Sequence, residues 1–458
     1  MKNRSIVWLR RDLRIEDHFA FRHADDINSE VFPVFIFDKN ILSRFINKKD
    51  PRISMIIDRL IFLNKQLEKY GTKIQIFYGN SVEIIKSLVE HTKPTHLIAG
   101  AGYEEFDLKR DEEVRSFCKD TGTNFVIEND HLIFSPSKIV KDDGKPYTVF
   151  TPFYKKLYNK IDDITIAEYD VKNIPPWEVD IPKTFLLELP KEKILQHIGY
   201  SYSPYSPWSA EFTNKDILPF VKNIPSYKES RDFMSIDGTS KFSPYLRFGF
   251  ISIRACMRAA MKSENNATWV KELIWRDFYA SALYNFPECK NTSFMKRYRD
   301  LKWNDSKEQW KRFEDGQTGY PIVDAAMRQL KQDGWVHNRS RMIAASFLTK
   351  HLLIDWRKGE ELYAQYLLDY EMSSNVGGWQ WSASTGFDAQ PYFRIFNPYL
   401  QSKKFDPKGE YIKKYVPELK DLHSKEIHEP KKFQPDIAYP DPIIAHEDAR
   451  KRALAFYG

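Results

Sequence analysis

The stretch KELIWRDFY puts Glu272, Trp275, Arg276 and Tyr279 at i, i+3, i+4 and i+7. On a helix those positions share one face, which presents a carboxylate, an indole, a guanidinium and a phenol together. Such a face can wall a pocket for a flat ligand: the indole stacks on it and the carboxylate accepts ring N–H donors. The plain alternative is a solvated face with a Glu–Arg pair above a core Trp. In HNRSRMIAAS, Asn338, Arg341, Met342 and Ala345 share a second face. Amide, cation, thioether and methyl make a poor dry core, because buried unpaired polar groups are costly; a helix edge between helices accounts for them equally well. His337 has no partner at metal-ligand spacing, and no metal site is expected. The segment from Asn375 to Trp381, with Gly377 and Gly378, reads as a loop whose glycines permit close backbone approach to a ligand. Trp379 and Trp381 need not share a face. Core packing is the default for each, although Trp303, Trp356, Trp379 and Trp381 concentrate in one region. Arg231, Lys241, Arg247, Arg339, Arg394, Lys403 and Lys404 lie around these segments. They are surface cations by default, and a phosphate-tracking rim if they converge.

These residues need elements to hold them. Apolar runs at Ile6–Leu9, Val31–Phe37, Lys73–Tyr78, His96–Ala99 and Asn124–Ile127 read as buried parallel strands. Helical patterns at Arg52–Tyr70, Ser81–Glu90 and Asp107–Lys119 separate them. The alternation predicts an α/β doubly wound parallel sheet over 1–130, with ligands at the C-terminal strand ends. Gly100-Ala101-Gly102 lacks the third glycine of a dinucleotide fingerprint, and a tight turn is expected. Periodicity weakens over 131–200, an inter-domain connector. From 201 to 458 helical windows dominate, including Thr318–Gln332 and Asn338–Leu353, and an all-α domain is expected. The 458 residues suit two or three domains, and 42% hydrophobic with 29% charged residues excludes wholesale disorder. Net charge is +7, which permits a basic groove. Three separated cysteines exclude a disulfide framework and fit a cytoplasmic protein. The N-terminal apolar run is too short for a signal peptide, and no run is long enough to span a membrane.

Longer motifs carry a resemblance. IVWLRRDLRIEDH, GTSKFSPYLRFG, ELIWRDFY, TGYPIVDAAMRQL, GWVHNRSRMIAASFLTKHLLIDWR and NVGGWQWSASTGFDAQPYFRIFNPYLQSKKFD resemble class I DNA photolyases of the cryptochrome/photolyase family, specifically the cyclobutane pyrimidine dimer enzymes. The resemblance covers nearly the whole chain. It implies a lyase that repairs ultraviolet-damaged DNA: blue light drives an electron from reduced, anionic FAD to a flipped-out dimer. By position, Tyr227, Thr239, Ser240, Lys241, Phe242 and Ser243 would hold the FAD phosphates and ribityl chain, with Arg276. Arg341 and Asp369 would pair beside the isoalloxazine, and Asn375 would face its reactive nitrogen. Glu371 stands where the family usually has Asp. Glu272 would hydrogen-bond the pyrimidines, Trp275 and Trp381 would clamp them, and Asn338 and Met342 would touch their other side. Arg231, Arg276, Tyr279, Arg339, Arg394 and Gln401 complete the implied DNA contacts. Trp379, Trp356 and Trp303 would carry electrons to oxidised flavin.

Relatives acting on six-four photoproducts place His where Asn338 and Met342 stand. The alternative reading is a blue-light-sensing cryptochrome without repair activity, but those often carry a long C-terminal tail and alter the flavin-facing Asn; here the chain stops at KRALAFYG and Asn375 is present. An antenna chromophore is implied for the first domain. Glu104, Cys289 and Lys290 point to 5,10-methenyltetrahydrofolate over 8-hydroxy-deazaflavin or none. A monomer with no obligate protein partner is expected.

Overall fold

The computed structural model describes residues 2–163, 165–181 and 183–458. Its first part is a five-stranded sheet: β1 (Arg4–Leu9), β2 (Glu30–Asp38), β3 (Gln75–Gly79), β4 (His96–Gly100) and β5 (Asn124–Glu128). The order is β3-β2-β1-β4-β5, and every pairing is parallel. The chain order reverses between β1 and β4, so their C-terminal ends open a crevice.

Helices α1 (Phe19–Asp26), α2 (Pro51–Leu67), α3 (Ser81–Thr92) and α4 (Glu105–Thr121) cover the sheet. Their boundaries follow capping chemistry. Asp50 accepts from Arg52 N–H ahead of Pro51, Asn80 accepts from Val82 and Glu83, and Gly122 ends α4 at φ 75°. All five strands and the three helices lie where the periodicity placed them, within a few residues. Helix α1 is an addition, started by the His18 ring, which accepts the N–H groups of Ala20 and Phe21.

After residue 131 the chain crosses to the helical part. On the way α5 (Phe150–Tyr158) packs against α7 (Ala267–Asn285), with Phe153 and Phe278 in ring contact. The remaining elements that position the site are α6 (Ser243–Phe248), α8 (Pro321–Asp333), α9 (Asn338–Ser346), α10 (Trp356–Tyr366), α11 (Met372–Ser382), α12 (Pro398–Phe405) and α13 (His446–Tyr457). Helix α8 begins at Pro321 and ends at Gly334, φ 60°, as its sequence signals require. Helix α9 is shorter than its periodicity suggested. It passes at Phe347–His351 into a π-helical turn, a feature frequent at functional sites.

One reading is corrected. The segment 375–381 is not a loop but the body of α11. A Cβ on Gly377 would lie 2.2 Å from the Tyr279 ring, so this glycine serves close packing of α11 on α7 and not a turn. A helical glycine costs about 0.5–1 kcal/mol relative to Ala; burial of the helix outweighs that, as tertiary context commonly does. Among the described residues, no helix is long and apolar enough to cross a membrane.

Candidate functional site

Helix α7 carries the face predicted for 272–279, but its members turn to different neighbours. Glu272 pairs with Arg231 across a short charge-assisted bond. Trp275 is half-buried, and one face of its indole lies flat on Phe150, ring centres 3.7 Å apart at 4°. Phe278 meets it edge-on, and Tyr279 tilts against it at 5.4 Å. This aromatic stack makes Trp275 a rigid plate. Tyr279 is also the ring that Gly377 accommodates.

Arg276 leaves that group. It reaches the carbonyl and Nε2 of His131 and donates from Nε to Glu371 at 3.2 Å. Glu371 also accepts from Tyr103 Oη at 2.6 Å and lies 2.9 Å from His131 Nε2. Ser373 completes the cluster, 2.9 Å from Tyr103 Oη. Burial drives the His131 imidazole down to about 3, assisted by the Arg276 charge, so the ring is neutral. Burial opposes charge on Glu371, but Arg276 and His131 hold its carboxyl well below the usual range. This knot ties the loops after β4 and β5 to α7 and to the start of α11.

Helix α9 presents Asn338 and Met342 one turn apart, with Asn338 Nδ2 3.7 Å from the Met342 sulfur. His337 caps the helix, its Nδ1 accepting Arg339 N–H at 3.1 Å. Burial holds that imidazole neutral, at about 4. Arg339 pairs with Asp232 at 2.9 Å and stacks over Phe405. Gln401 is half-buried beside this face on α12, and Arg394 is exposed. The Arg394 carbonyl accepts from buried Lys350 at 3.0 Å. Trp381 is half-buried while Trp379 is 2% exposed, because two residues on a helix turn about 200°.

The polar cradle lies on the other side of α11. Arg341 Nη2 meets Asp369 Oδ2 at 2.7 Å, and Arg341 Nε donates to the Val336 carbonyl. Asp369 Oδ1 is buried without a partner. Asn375 Nδ2 donates both to the Glu360 carbonyl and to Glu360 Oε1, each at 3.0 Å. A backbone carbonyl can only accept, so this fixes which end of the amide is NH2 and leaves Oδ1 as the end that accepts. Tyr227 is buried at 7% exposure, with Arg231 over its ring. Thr239 and Ser240 are half-buried in the turn before α6, and Lys241 adopts φ 53° and pairs with Asp237. Phe242 is buried, while Ser243 accepts from Trp335 Nε1 at 3.2 Å.

Trp379 and Trp356 share one buried cluster, and half-buried Trp303 packs against it. Trp379 of α11 packs against α10 over Gly359, where a Cβ would be 2.2 Å from its ring, and edge-on to Tyr363 at 5.0 Å. Asn304 pairs with Ile354, which brings the Trp303 strand beside the start of α10. Trp303 ends this series beside Phe456 and Tyr457 of α13.

A separate cavity of about 310 Å³ opens where β1, β2 and β4 end. Arg10, Arg11, Glu104 and Phe106 line it from the sheet side, and Arg247, Tyr370 and Met372 from the helical part. Glu104 pairs with Arg11 at 2.6 Å. Cys289 and Lys290 do not join Glu104 there. Cys289 is fully buried, its carbonyl accepting from Gln380, and Lys290 pairs with Glu105 at 2.7 Å. Sequence reasoning missed Tyr103, His131, Phe150, Glu360 and Tyr370; Tyr103 and His131 had the signal of following strand ends, while Phe150, Glu360 and Tyr370 lie outside the dense motifs and gave none.

Residues 5–174 match the family described as DNA photolyase, and 269–458 match that described as FAD binding domain of DNA photolyase. The chain is 35% identical to the deoxyribodipyrimidine photo-lyase of Alkalihalophilus pseudofirmus, over 98% of this chain and 97% of that one. Among solved structures it is similar to a class III photolyase from Agrobacterium tumefaciens, with TM-score 0.86, 34% identity and coverage of 100% and 97%. It is also similar to an archaeal photolyase from Sulfolobus tokodaii holding two FAD molecules, with TM-score 0.84, 29% identity and coverage of 99% of each chain.

Proposed function

Because the chain belongs to the DNA photolyase family, we propose that it is a light-driven deoxyribodipyrimidine lyase that restores cyclobutane pyrimidine dimers in DNA. The observation that carries this reading is the match to enzymes named photo-lyase over nearly the whole of both chains. It favours repair over a light sensor of the same fold. Class I membership is our reading of the motifs; a class III structure stands among the similar ones. We assign 1–130 to an antenna domain, 131–200 to the connector and 201–458 to the FAD-binding catalytic domain.

The cradle fits a flavin. Asp369 keeps one buried carboxylate oxygen without a partner, and Asn375 has its oxygen left to accept, so both suit ring N–H groups. Arg341 and Asp369 would orient the ring, while Tyr227, Thr239, Ser240, Lys241, Phe242 and Ser243 would hold the remainder. FAD, when bound and reduced, supplies the blue-light absorption and the electron that no side chain provides. Trp275, braced by Phe150, offers its remaining face to the flipped dimer, with Trp381 opposite. Glu272, its charge offset by Arg231, accepts from the pyrimidine N–H groups, and Asn338 donates to their carbonyls as charge develops. Met342 and Tyr279 fill the apolar sides. Arg231, Arg339, Arg394 and Gln401 would meet the strand, and Trp379, Trp356 and Trp303 would feed electrons from the surface.

We place Arg276 and Glu371 differently from the motif-based expectation: their partners are His131 and Tyr103, and their role is to join the two parts beside the cradle. We also propose a second chromophore, with methenyltetrahydrofolate as first candidate and 8-hydroxy-deazaflavin as second; Glu104 in the cavity wall and Lys290, held on the adjacent Glu105, support the folate reading. The deciding experiment is repair of ultraviolet-irradiated oligo-dT by the reduced, flavin-loaded protein. Intact thymines should return under blue light and not in darkness. Illumination that leaves the dimers in place rejects the function, and a dark absorption spectrum shows whether a second chromophore is bound.

A further inference from the structure

Tyr370 belongs to two sites at once. It lines the cavity at the strand ends, and Glu104 and Arg247 of the same wall face its hydroxyl. Its hydroxyl donates to Glu360 Oε1 at 3.1 Å. The same oxygen accepts Asn375 Nδ2 at 3.0 Å. Two hydrogen bonds therefore run from the cavity wall to the amide assigned to face the flavin. The backbone anchors this path, since Arg247, also in the cavity wall, donates to the Tyr370 carbonyl.

From this geometry we propose that Tyr370 is a positioning residue that sets the charge balance of the Glu360–Asn375 pair, and through it the reduction potential of the flavin. The proposal rests on the flavin reading above and adds a residue and a link to it. A hydroxyl donor favours an ionised carboxylate. Without it Glu360 binds a proton more readily, negative charge beside the cradle falls, and the reduced, anionic flavin is better tolerated. The groups facing Glu360 are Tyr370 from the segment before α11, Asn375 from α11, and Glu361 beside it on α10. Those facing Tyr370 are Glu360, Glu104 and Arg247. Burial, with Glu361 beside it, pushes the Glu360 carboxyl above its usual range, and neither set holds a cation against Glu360 itself, so the two neutral donors are what oppose that shift and support its charge. By linkage, a cavity occupant that draws the Tyr370 hydroxyl away from Glu360 shifts the potential, and flavin reduction shifts the affinity of that occupant by the same factor.

The test is the midpoint potential of the flavin in the purified, FAD-loaded full chain. Tyr370→Phe keeps the ring in the cavity wall and removes only the hydroxyl. The ratio of reduced to oxidised flavin at a fixed solution potential should rise roughly tenfold, about 30 mV for a two-electron couple. Flavin content should stay unchanged. In a Glu360→Gln background the ionisable group is gone, and Tyr370→Phe should add nothing. An unmoved potential, or a shift that persists in the Glu360→Gln background, overturns the coupling while leaving the proposed function intact. A wild-type chain that takes up no flavin overturns both, which separates the two failures.

Discussion

Replacing Trp275 by Ala removes the plate on which the dimer is proposed to rest. The indole has one face committed to Phe150 at 3.7 Å and 4°, so a single face remains for a base. One base–aromatic stack is worth about 1–3 kcal/mol, and tenfold in affinity is about 1.4 kcal/mol. The dissociation constant for dimer-containing oligo-dT should therefore rise by roughly 5- to 150-fold. Phe150 is the control: it touches the indole from behind and no DNA in the proposed arrangement. Phe150→Ala loses an aromatic pair of about 0.5–1.5 kcal/mol, only part of which reaches the lesion, so its effect should stay below about tenfold. The assay is titration of irradiated and undamaged oligonucleotides at one fixed salt concentration, read by mobility shift or anisotropy. Undamaged DNA should bind both variants as it binds wild type, because the cations of the rim are untouched. Equal weakening for damaged and undamaged DNA would refute the clamp, as would unchanged discrimination in Trp275→Ala.

Trp379→Phe should block photoreduction of oxidised flavin yet spare repair once the flavin is reduced chemically; equal loss of both would remove Trp379 from the relay. Gly359→Ala places a methyl 2.2 Å from the Trp379 ring, and overpacking of that kind costs about 1–3 kcal/mol, so thermal melting should show lower stability together with slower photoreduction. Lesion binding should weaken with salt at about 0.9 logarithmic units per phosphate contact on duplex DNA; Arg394→Ala should reduce that slope by about one contact, and an unchanged slope would exclude Arg394 from the rim. Acid should destabilise the fold. His131, His337 and His351 have folded pKa values lowered to about 3, 4 and 3, chiefly by burial. The unfolded chain then binds more protons than the native one between the ordinary His value of about 6.5 and those lowered values, so stability falls through that window as pH drops. Denaturant midpoints at pH 7, 6 and 5 check it, and His131→Asn should flatten the trend.

How far the sequence reached depends on which force decides each element. Buried parallel strands and capped helices announce themselves locally, so the sheet was legible. Gly377 and Gly378 were misread because glycine signals a turn only when packing does not claim it; the Tyr279 ring, distant in sequence, claims Gly377. The 272–279 face was legible as a helix face, but the divergence of Arg276 from Trp275 was not. It depends on His131 and Glu371, contributed by segments 145 and 95 residues away. Tyr370 was invisible for the same reason: its hydroxyl finds Glu360 only after α10 and α11 pack.

The buried knot of Tyr103, His131, Arg276 and Glu371 bears on how this protein could be re-engineered. The front third looks like an exchangeable cassette, since all five strands of the sheet come from residues 4–128 and the connector is irregular. A relative's sheet transplanted here would nevertheless strand Arg276 and Glu371 inside the seam wherever it lacked an imidazole and a phenol at the positions of His131 and Tyr103. Chimeras cut at the connector should therefore keep Tyr103 and His131 together with Arg276 and Glu371, because the two parts share one buried seam.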